Sequence, residues 1–115
     1  MSSNTIVLIT GANTGLGFET VKSLCQSEVS YTILLAGRSL DKANAAAKTA
    51  QAEFPSSRST IKTIQIDVED DESINRAFEH VSSEYGRLDV LINNAGSLPR
   101  FLLKHHPFSF NATST

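Results

Sequence analysis

The sequence predicts an α/β fold, in which a parallel sheet carries helices on both faces. Short apolar runs alternate along the chain with segments that repeat apolar residues at helical spacing, in the order βαβαβαβ. A glycine-rich turn at residues 10–17 follows the first apolar run directly. Parallel strands require such crossovers, which are right-handed. We therefore expect the carboxyl ends of four strands to share one sheet edge, where such folds bind ligands.

The first half of the chain contains two strand–helix pairs. Residues 5–10 and 31–36 are apolar enough to be buried strands. The first helix is predicted over 15–27, because Gly17, Val21, Leu24 and Cys25 recur at helical spacing. Ser39 can cap a second helix that runs through the alanine-rich residues 43–52.

The second half continues this alternation as far as Gly96. A third strand is expected over 60–68, and the acidic residues 69–72 suit a helix start, where the helix dipole favours carboxylates. Apolar spacing predicts an amphipathic helix that ends at Gly86. A fourth strand over 88–92 then leads into Asn93-Asn94-Ala95-Gly96.

The periodicity stops after Gly96. We therefore expect one domain over residues 1–96 and an irregular tail over 97–115, frayed from residue 108 onwards. Nothing in this tail resembles a strand that could cover residues 88–92. An uncovered strand edge offers unpaired N–H and C=O groups, so we expect a marginally stable, association-prone protein, possible as a homo- or hetero-oligomer.

Composition excludes several classes of function. The 115 residues are 40% hydrophobic with a net charge of −2, and they contain no basic cluster, so nucleic acid and anionic membranes are disfavoured as partners. No apolar run approaches the length of a membrane span, and the first residues do not resemble a signal peptide, so a cytoplasmic protein is expected. Cys25 is the only cysteine, which excludes an intrachain disulfide and favours a packed thiol.

Two patterns could suggest a metal site, and both are better explained otherwise. The carboxylates at 69–72 are typical of a helix start rather than of a cation site. His105 and His106 are adjacent, so their side chains point apart in most backbones, and no third ligand is near. No metal is therefore expected.

The glycine turn predicts a phosphate-binding site. Gly11 would make the turn, Gly15 would let a pyrophosphate approach the backbone, and Gly17 would let the helix pack on the strand. The helix N-terminus then offers unpaired N–H groups and a partial positive charge to the anion. The alternative is that the glycines serve packing alone. The spacing G-x-x-x-G-x-G differs from G-x-G-x-x-G, and no Gly-Lys-Ser/Thr of a P-loop follows.

The sequence resembles the short-chain dehydrogenase/reductase family over residues 5–96. Thr10, Gly11, Gly15 and Gly17 match its T-G-x-x-x-G-x-G motif, and residues 93–96 match its N-N-A-G motif. The closest likeness is to the carbonyl-reductase and retinol-dehydrogenase-like branches. This resemblance implies a Rossmann-type sheet in the strand order 3-2-1-4, with the C-terminal half of the fold missing. It also implies an NAD(P)-dependent oxidoreductase that interconverts small-molecule carbonyl and alcohol groups.

Arg38 indicates which dinucleotide is bound. It lies 21 positions after Gly17, near where an NAD site keeps an acid for the ribose 2′-hydroxyl and where an arginine accommodates a 2′-phosphate. We therefore expect NADP, with NAD less favoured. A solvated surface arginine is the alternative reading. Asp41 is a rival ribose partner, although it lies within the presumed helix start, where it would serve the helix dipole.

The resemblance assigns Asp67 and Val68 to the adenine pocket, where the carboxylate accepts from the exocyclic amine. The alternative for Asp67 is a helix cap. In the family, N-N-A-G steadies the central sheet and borders the cofactor ribose. The complete set of predicted cofactor-binding residues is Thr10, Gly11, Asn13, Gly15, Leu16, Gly17, Arg38, Asp67, Val68, Asn93, Ala95 and Gly96.

One departure from the family pattern concerns catalysis. Family members use a Tyr-x-x-x-Lys pair, in which tyrosine is the general acid/base and lysine lowers its pKa. Here the only tyrosines are Tyr31 and Tyr85, and Leu35 and Asp89 stand four positions after them. No catalytic residue is therefore predicted, and this chain alone is not expected to be catalytic. A non-catalytic dinucleotide-binding or partner-pairing module and a non-functional truncated product remain open.

Overall fold

The computed structural model describes residues 4–12, 15–94 and 111–114 and shows a five-stranded parallel sheet with helices on both faces. The strand order is β3-β2-β1-β4-β5, which confirms the predicted Rossmann-type α/β class and the order 3-2-1-4. The elements are β1 (Thr5–Thr10), α1 (Gly15–Gln26), β2 (Tyr31–Gly37), α2 (Leu40–Glu53), β3 (Thr60–Gln65), α3 (Asp71–Tyr85), β4 (Val90–Asn93) and β5 (Asn111–Ser114).

The strand register aligns the carboxyl ends of the strands. Thr10 at the end of β1 pairs with Asn93 at the end of β4, and Gly37 of β2 pairs with Gln65 of β3. All of these pairings are parallel. The turns that follow these strands therefore leave the sheet at one edge, which we call the carboxyl edge.

Two apolar layers hold the helices to the sheet, because successive strand residues point to opposite faces. On one face Val7, Ile9 and Ile33 pack with α1 and α2. On the other face Ile6, Leu8 and Leu34 pack with α3. The helix residues of the first layer are small: Val21, Cys25, Ala43, Ala46, Ala47 and Ala50. The second layer is bulkier and includes Ile74, Phe78 and Val81.

The helix ends predicted at Ser39 and Gly86 are confirmed. The Lys42 N–H donates to Ser39 Oγ at 3.3 Å, so Ser39 is the N-cap of α2. Asp70 is the N-cap of α3, the last of the acidic residues before the helix proper. Gly86 ends α3 with φ +73°, a left-handed conformation that costs glycine little.

Two strand boundaries differ from those expected. β3 ends at Gln65 rather than at residue 68, because Asp67 to Asp70 fold into a turn closed by the Asp70 N–H donating to Asp67 O at 3.0 Å. β4 begins at Val90 rather than at residue 88. Asp89 nevertheless stays bound to β1, because its N–H donates to Ile6 O and its carboxylate accepts the Ile6 N–H at 2.7 Å.

The expectation of a frayed tail and a bare β4 edge is wrong over residues 111–114. These residues form β5, which pairs parallel to β4 with Val90 opposite Asn111 and Asn93 opposite Ser114. The stretch Asn-Ala-Thr-Ser carries little apolar signal, so its sequence did not predict a strand. A strand can be recruited by main-chain hydrogen bonds alone, because every backbone carries the same N–H and C=O groups.

Candidate functional site at the carboxyl edge

The glycine turn joins β1 to α1 through backbone conformations that favour glycine. Gly11 has φ +60° and Gly15 has φ +61°, both in the left-handed region. The Ala12 N–H donates to Ala36 O at 2.9 Å, which ties the turn to the end of β2. The turn is thus held against two neighbouring strands at the carboxyl edge.

Gly15 and Gly17 differ in what surrounds them. A Cβ added at Gly17 would lie 2.5 Å from Gly11 O and 2.8 Å from Asn94 Nδ2, so α1 can pack against the turn only without a side chain there. A Cβ added at Gly15 would meet no atom of the described residues within 4 Å, its chain neighbours aside. Within the described part of the chain, nothing therefore blocks the approach of a group to the backbone at Gly15.

Three polar residues connect the glycine turn to the end of β4. Thr10 Oγ1 donates to Asn93 Oδ1 at 2.7 Å and accepts the Asn94 N–H at 3.0 Å. Asn94 Nδ2 donates to Gly11 O at 3.3 Å. Thr10 and Asn93 are buried, at 1% and 7% exposure, so this hydrogen bonding is shielded from water.

Asn94 is absent from the predicted site residues, although it contacts the turn more directly than Asn93 does. The Asn-Asn-Ala-Gly motif does not indicate which of its two adjacent asparagines contacts the glycine turn. The distinction depends on which side chain lies beneath Gly11, because successive residues at a strand end point to different sides.

The first turn of α1 is electrostatically suited to an anion. It contains no acidic residue, so no carboxylate of the helix competes for the positive end of its dipole. Leu16 is 67% exposed there. Exposed N–H groups at a helix start, next to an open glycine backbone, form a site that phosphate groups occupy in many proteins.

Arg38 follows β2 at the same edge, with its side chain exposed. Its carbonyl oxygen accepts from Gln65 Nε2 at 3.2 Å, which links the ends of β2 and β3. Its guanidinium forms no ion pair with any residue in the described part of the chain. Asp41, the rival ribose partner, lies in the first turn of α2 as expected.

Asp67 and Val68 lie in the turn between β3 and α3. Asp67 Oδ1 accepts the Glu69 N–H at 3.0 Å, so Asp67 closes its own turn, and the helix cap is Asp70 instead. The Asp67 N–H donates to Ser73 Oγ at 2.9 Å. Val68 is half-buried and packs against the layer beneath α3. Ser73 is a second residue that sequence reasoning missed.

Cys25 lies far from these residues, near the end of α1. It is buried as predicted, at 4% exposure. Burial raises the pKa of its thiol, although a hydrogen bond with Ser57 acts in the opposite direction. It borders a cavity of about 440 Å³ between the ends of α1 and α2, with Phe54 and Arg58 also in the lining.

The structure thus places nine of the predicted residues at strand ends, in turns or in the first turn of α1 at the carboxyl edge: Thr10, Gly11, Gly15, Leu16, Gly17, Arg38, Asp67, Val68 and Asn93. Asn13, Ala95, Gly96 and the His105-His106 pair lie outside the described residues. Over residues 4–12, 15–94 and 111–114, no three His, Cys, Asp or Glu side chains group as metal ligands. The helices in those ranges are also too short or too polar to cross a membrane.

Comparison with known proteins places this arrangement in a family. A family model described as short chain dehydrogenase matches residues 5–113. The chain belongs to the short-chain dehydrogenase family. This is a family of oxidoreductases that bind NAD(P), and its glycine and asparagine motifs correspond to the two segments joined at the carboxyl edge.

Individual relatives agree with this assignment. The chain is 45% identical over 96 residues to short-chain dehydrogenase/reductase tropE of Talaromyces stipitatus, covering 84% of this chain and 36% of that one. It is 43% identical over 96 residues to carbonyl reductase (NADPH) 1 of Sus scrofa, and the match covers 83% of this chain and 32% of that one.

A solved structure, menthone neomenthol reductase from Mentha piperita, superposes with a TM-score of 0.74. It is 30% identical to this chain, and the match covers 84% of this chain and 33% of that one. The chain therefore spans about a third of the length of the short-chain dehydrogenases it matches.

Proposed function

We propose that this chain binds NADP(H) at the carboxyl edge, as the dinucleotide-binding part of a short-chain oxidoreductase that interconverts carbonyl and alcohol groups. The observation that carries this proposal is the glycine turn, which no described residue covers at Gly15 and which leads into a first helical turn without carboxylates. Backbone N–H groups there would hold the pyrophosphate. The dinucleotide, when bound, supplies the hydride chemistry, and the protein supplies its position.

In this proposal, the remaining residues of the site serve different parts of the dinucleotide. Thr10 and Asn93 are bonded to each other, so in this proposal they act by holding the turn in place. Asp67 would accept from the adenine amine, and Val68 would contact the ring. Leu16, Asn13, Ala95 and Gly96 remain predicted members of the site, and the family resemblance has the Asn-Asn-Ala-Gly segment border the cofactor ribose.

The preference for NADP depends on Arg38. Its guanidinium is exposed, lacks an ion pair among the described residues, and follows a strand end that carries no acid. A guanidinium binds phosphate by charge and by paired N–H donors, whereas a ribose 2′-hydroxyl requires an acceptor. The name of the similar carbonyl reductase (NADPH) 1 of Sus scrofa agrees with this preference.

Calorimetric titration of the purified chain with NADPH and NADH tests the binding site. NADPH should bind about tenfold more tightly or better, since a hydrogen bond to a charged group contributes about 1.5–3 kcal/mol. Arg38→Asp should reverse the preference. Arg58→Asp makes the same charge change in an exposed loop before β3, away from the carboxyl edge, and should leave both affinities unchanged. Equal affinities in the wild-type chain would contradict the role of Arg38.

Catalysis by these 115 residues alone is not expected, because neither tyrosine is followed by lysine at the fourth position. General acid–base catalysis is worth about 10²–10⁴-fold in rate. Purified chain should therefore oxidise NADPH no faster in the presence of a panel of aldehydes and ketones than in its absence. Carbonyl-dependent oxidation by a contaminant-free preparation would contradict this part of the proposal.

The same absence favours a second candidate, a non-catalytic module that binds the dinucleotide or pairs with a longer relative. Dinucleotide binding without carbonyl-dependent oxidation would be consistent both with this module and with the dinucleotide-binding part of an enzyme. Failure to bind either dinucleotide would leave a pairing module and a non-functional product as the two alternatives. Addition of the chain to a full-length relative, followed by assay of its activity and oligomeric state, separates a pairing module from the others. A cytoplasmic location remains a prediction.

A further inference from the structure

The first turn of α3 contains a buried hydroxyl that the predicted site does not use. Ser73 is 4% exposed and belongs to the first turn of α3, three residues after the N-cap Asp70. Its Oγ accepts the Asp67 N–H at 2.9 Å. The Ser73 side chain of α3 is thereby bonded to Asp67, which begins the turn and precedes the N-cap of the helix.

The position of Ser73 is unusual for a capping interaction. In a capping box, a long Glu or Gln at this helix position bonds the N–H of the N-cap residue itself. In α3, the Asp70 N–H donates to Asp67 O, so the N-cap amide already has a partner. The shorter serine bonds Asp67 instead, because the turn folds Asp67 back over the helix start.

Three hydrogen bonds converge on Asp67. Its N–H donates to Ser73 Oγ, its Oδ1 accepts the Glu69 N–H, and its carbonyl oxygen accepts the Asp70 N–H. Two of these lie within the turn and would move with it. The Ser73 bond is the one that attaches the turn to the buried side of α3. Asp67 Oδ2 accepts no hydrogen bond from a described residue.

We propose that Ser73 is a positioning residue for the adenine end of the dinucleotide, acting through Asp67. This inference rests on the proposed function and names a determinant of the same site. By holding the Asp67 backbone, Ser73 fixes the direction of the carboxylate and leaves Oδ2 available to the exocyclic amine of adenine. Without the hydroxyl, the Asp67 N–H loses its acceptor, and Asp67 itself is no longer bonded to a side chain of α3.

The test uses two ligands that differ at the exocyclic amine. NADPH carries this amine, whereas its deamino analogue, in which hypoxanthine replaces adenine, does not. The wild-type chain should bind NADPH more tightly than the analogue. Ser73→Ala should weaken NADPH binding by about tenfold, the size expected for one hydrogen bond to a charged group, and leave the analogue nearly unaffected. The ratio of the two affinities should therefore fall towards one.

Two further variants separate positioning from folding. Ser73→Thr retains the hydroxyl and should restore the ratio, even if its extra methyl group lowers stability. Ser83→Ala removes an exposed hydroxyl from the far end of α3 and should change neither affinity. Hydrogen exchange should become faster at the Asp67 amide in Ser73→Ala and not in Ser83→Ala.

The outcomes distinguish this inference from the function on which it rests. Failure of the wild-type chain to bind either nucleotide would overturn the proposed function and the adenine role with it. A wild-type chain that discriminates between them, together with a Ser73→Ala variant that retains the same ratio, would overturn the role of Ser73 alone. Equal weakening of both ligands would also overturn it, because that result indicates general loosening of the fold.

Discussion

The starts of α1 and α3 both lie at the carboxyl edge of the sheet, yet they differ in the charge that they place at the positive end of the helix dipole. α3 follows an Asp N-cap and carries Asp71 and Glu72 in its first turn. α1 follows the glycine turn and carries no acidic residue in its first turn. A helix start attracts negative charge wherever it lies. The chain supplies that charge itself at α3, and it supplies none in the first turn of α1.

The two starts also differ in how the backbone is held. At α3, Asp70 Oδ1 accepts the Glu72 N–H and Asp67 Oδ1 accepts the Glu69 N–H, so short acidic side chains fold the turn locally. At α1, the glycine turn is held from outside by Ala36 O and by Asn94. The glycine turn thus depends on neighbouring strands for support, whereas the turn before α3 is closed by its own Asp67 and Asp70.

The largest effect should come from filling the contact between α1 and its turn. Gly17→Ala places a methyl group against the Gly11 carbonyl, and backbone atoms cannot rotate away. The free energy of unfolding should fall by about 3 kcal/mol, near the upper end for overpacked positions. Urea denaturation measures this change. Gly86→Ala, which adds only left-handed strain at the end of α3, should cost about 1–2 kcal/mol. Equal losses in the two variants would contradict the packing role of Gly17.

An intermediate effect is expected at the start of α3. Asp70→Ala removes the N-cap oxygen and should lower the free energy of unfolding by about 1 kcal/mol. NADPH affinity should change little, because the Asp67 backbone keeps its hydrogen bonds with Ser73 Oγ and the residue 70 N–H. Asp70→Ser keeps an N-cap acceptor and should lose much less stability in the same urea titration. A large loss of NADPH affinity in either variant would remove the distinction between the two helix starts.

The smallest effect on stability should come from adding to the first turn of α1 a carboxylate like those in the first turn of α3. Leu16→Glu adds a carboxylate to the first turn at an exposed position, and the helix dipole should raise the free energy of unfolding by about 0.3–1 kcal/mol. The same charge should repel the pyrophosphate and weaken NADPH binding in calorimetry. Leu16→Gln has nearly the same shape without the charge and serves as the control. Affinity that falls equally in both would point to loss of the leucine contact and not to charge.

Much of the fold was predictable because its signals are local. The apolar runs, the helical spacing, Ser39 as an N-cap and Gly86 at the end of α3 each depend on residues within a few positions of one another. The strand order came from the family resemblance, carried by two short motifs. Strand boundaries were harder to predict where a side chain favours a turn. The Asp67 carboxylate accepts the Glu69 N–H and stabilises a turn there, so β3 ends at Gln65, earlier than the apolar pattern suggests.

The sequence by itself determined that this chain forms a parallel α/β sheet with a glycine turn at the start of its first helix, because strand burial, helix periodicity and glycine conformations are properties of neighbouring residues. Only the tertiary structure decided that Asn94 supports Gly11, that Asp89 binds Ile6, and that β5 covers β4. These contacts join segments far apart in the chain or depend on backbone groups that all residues share. Their partners become apparent only when packing brings the strands together.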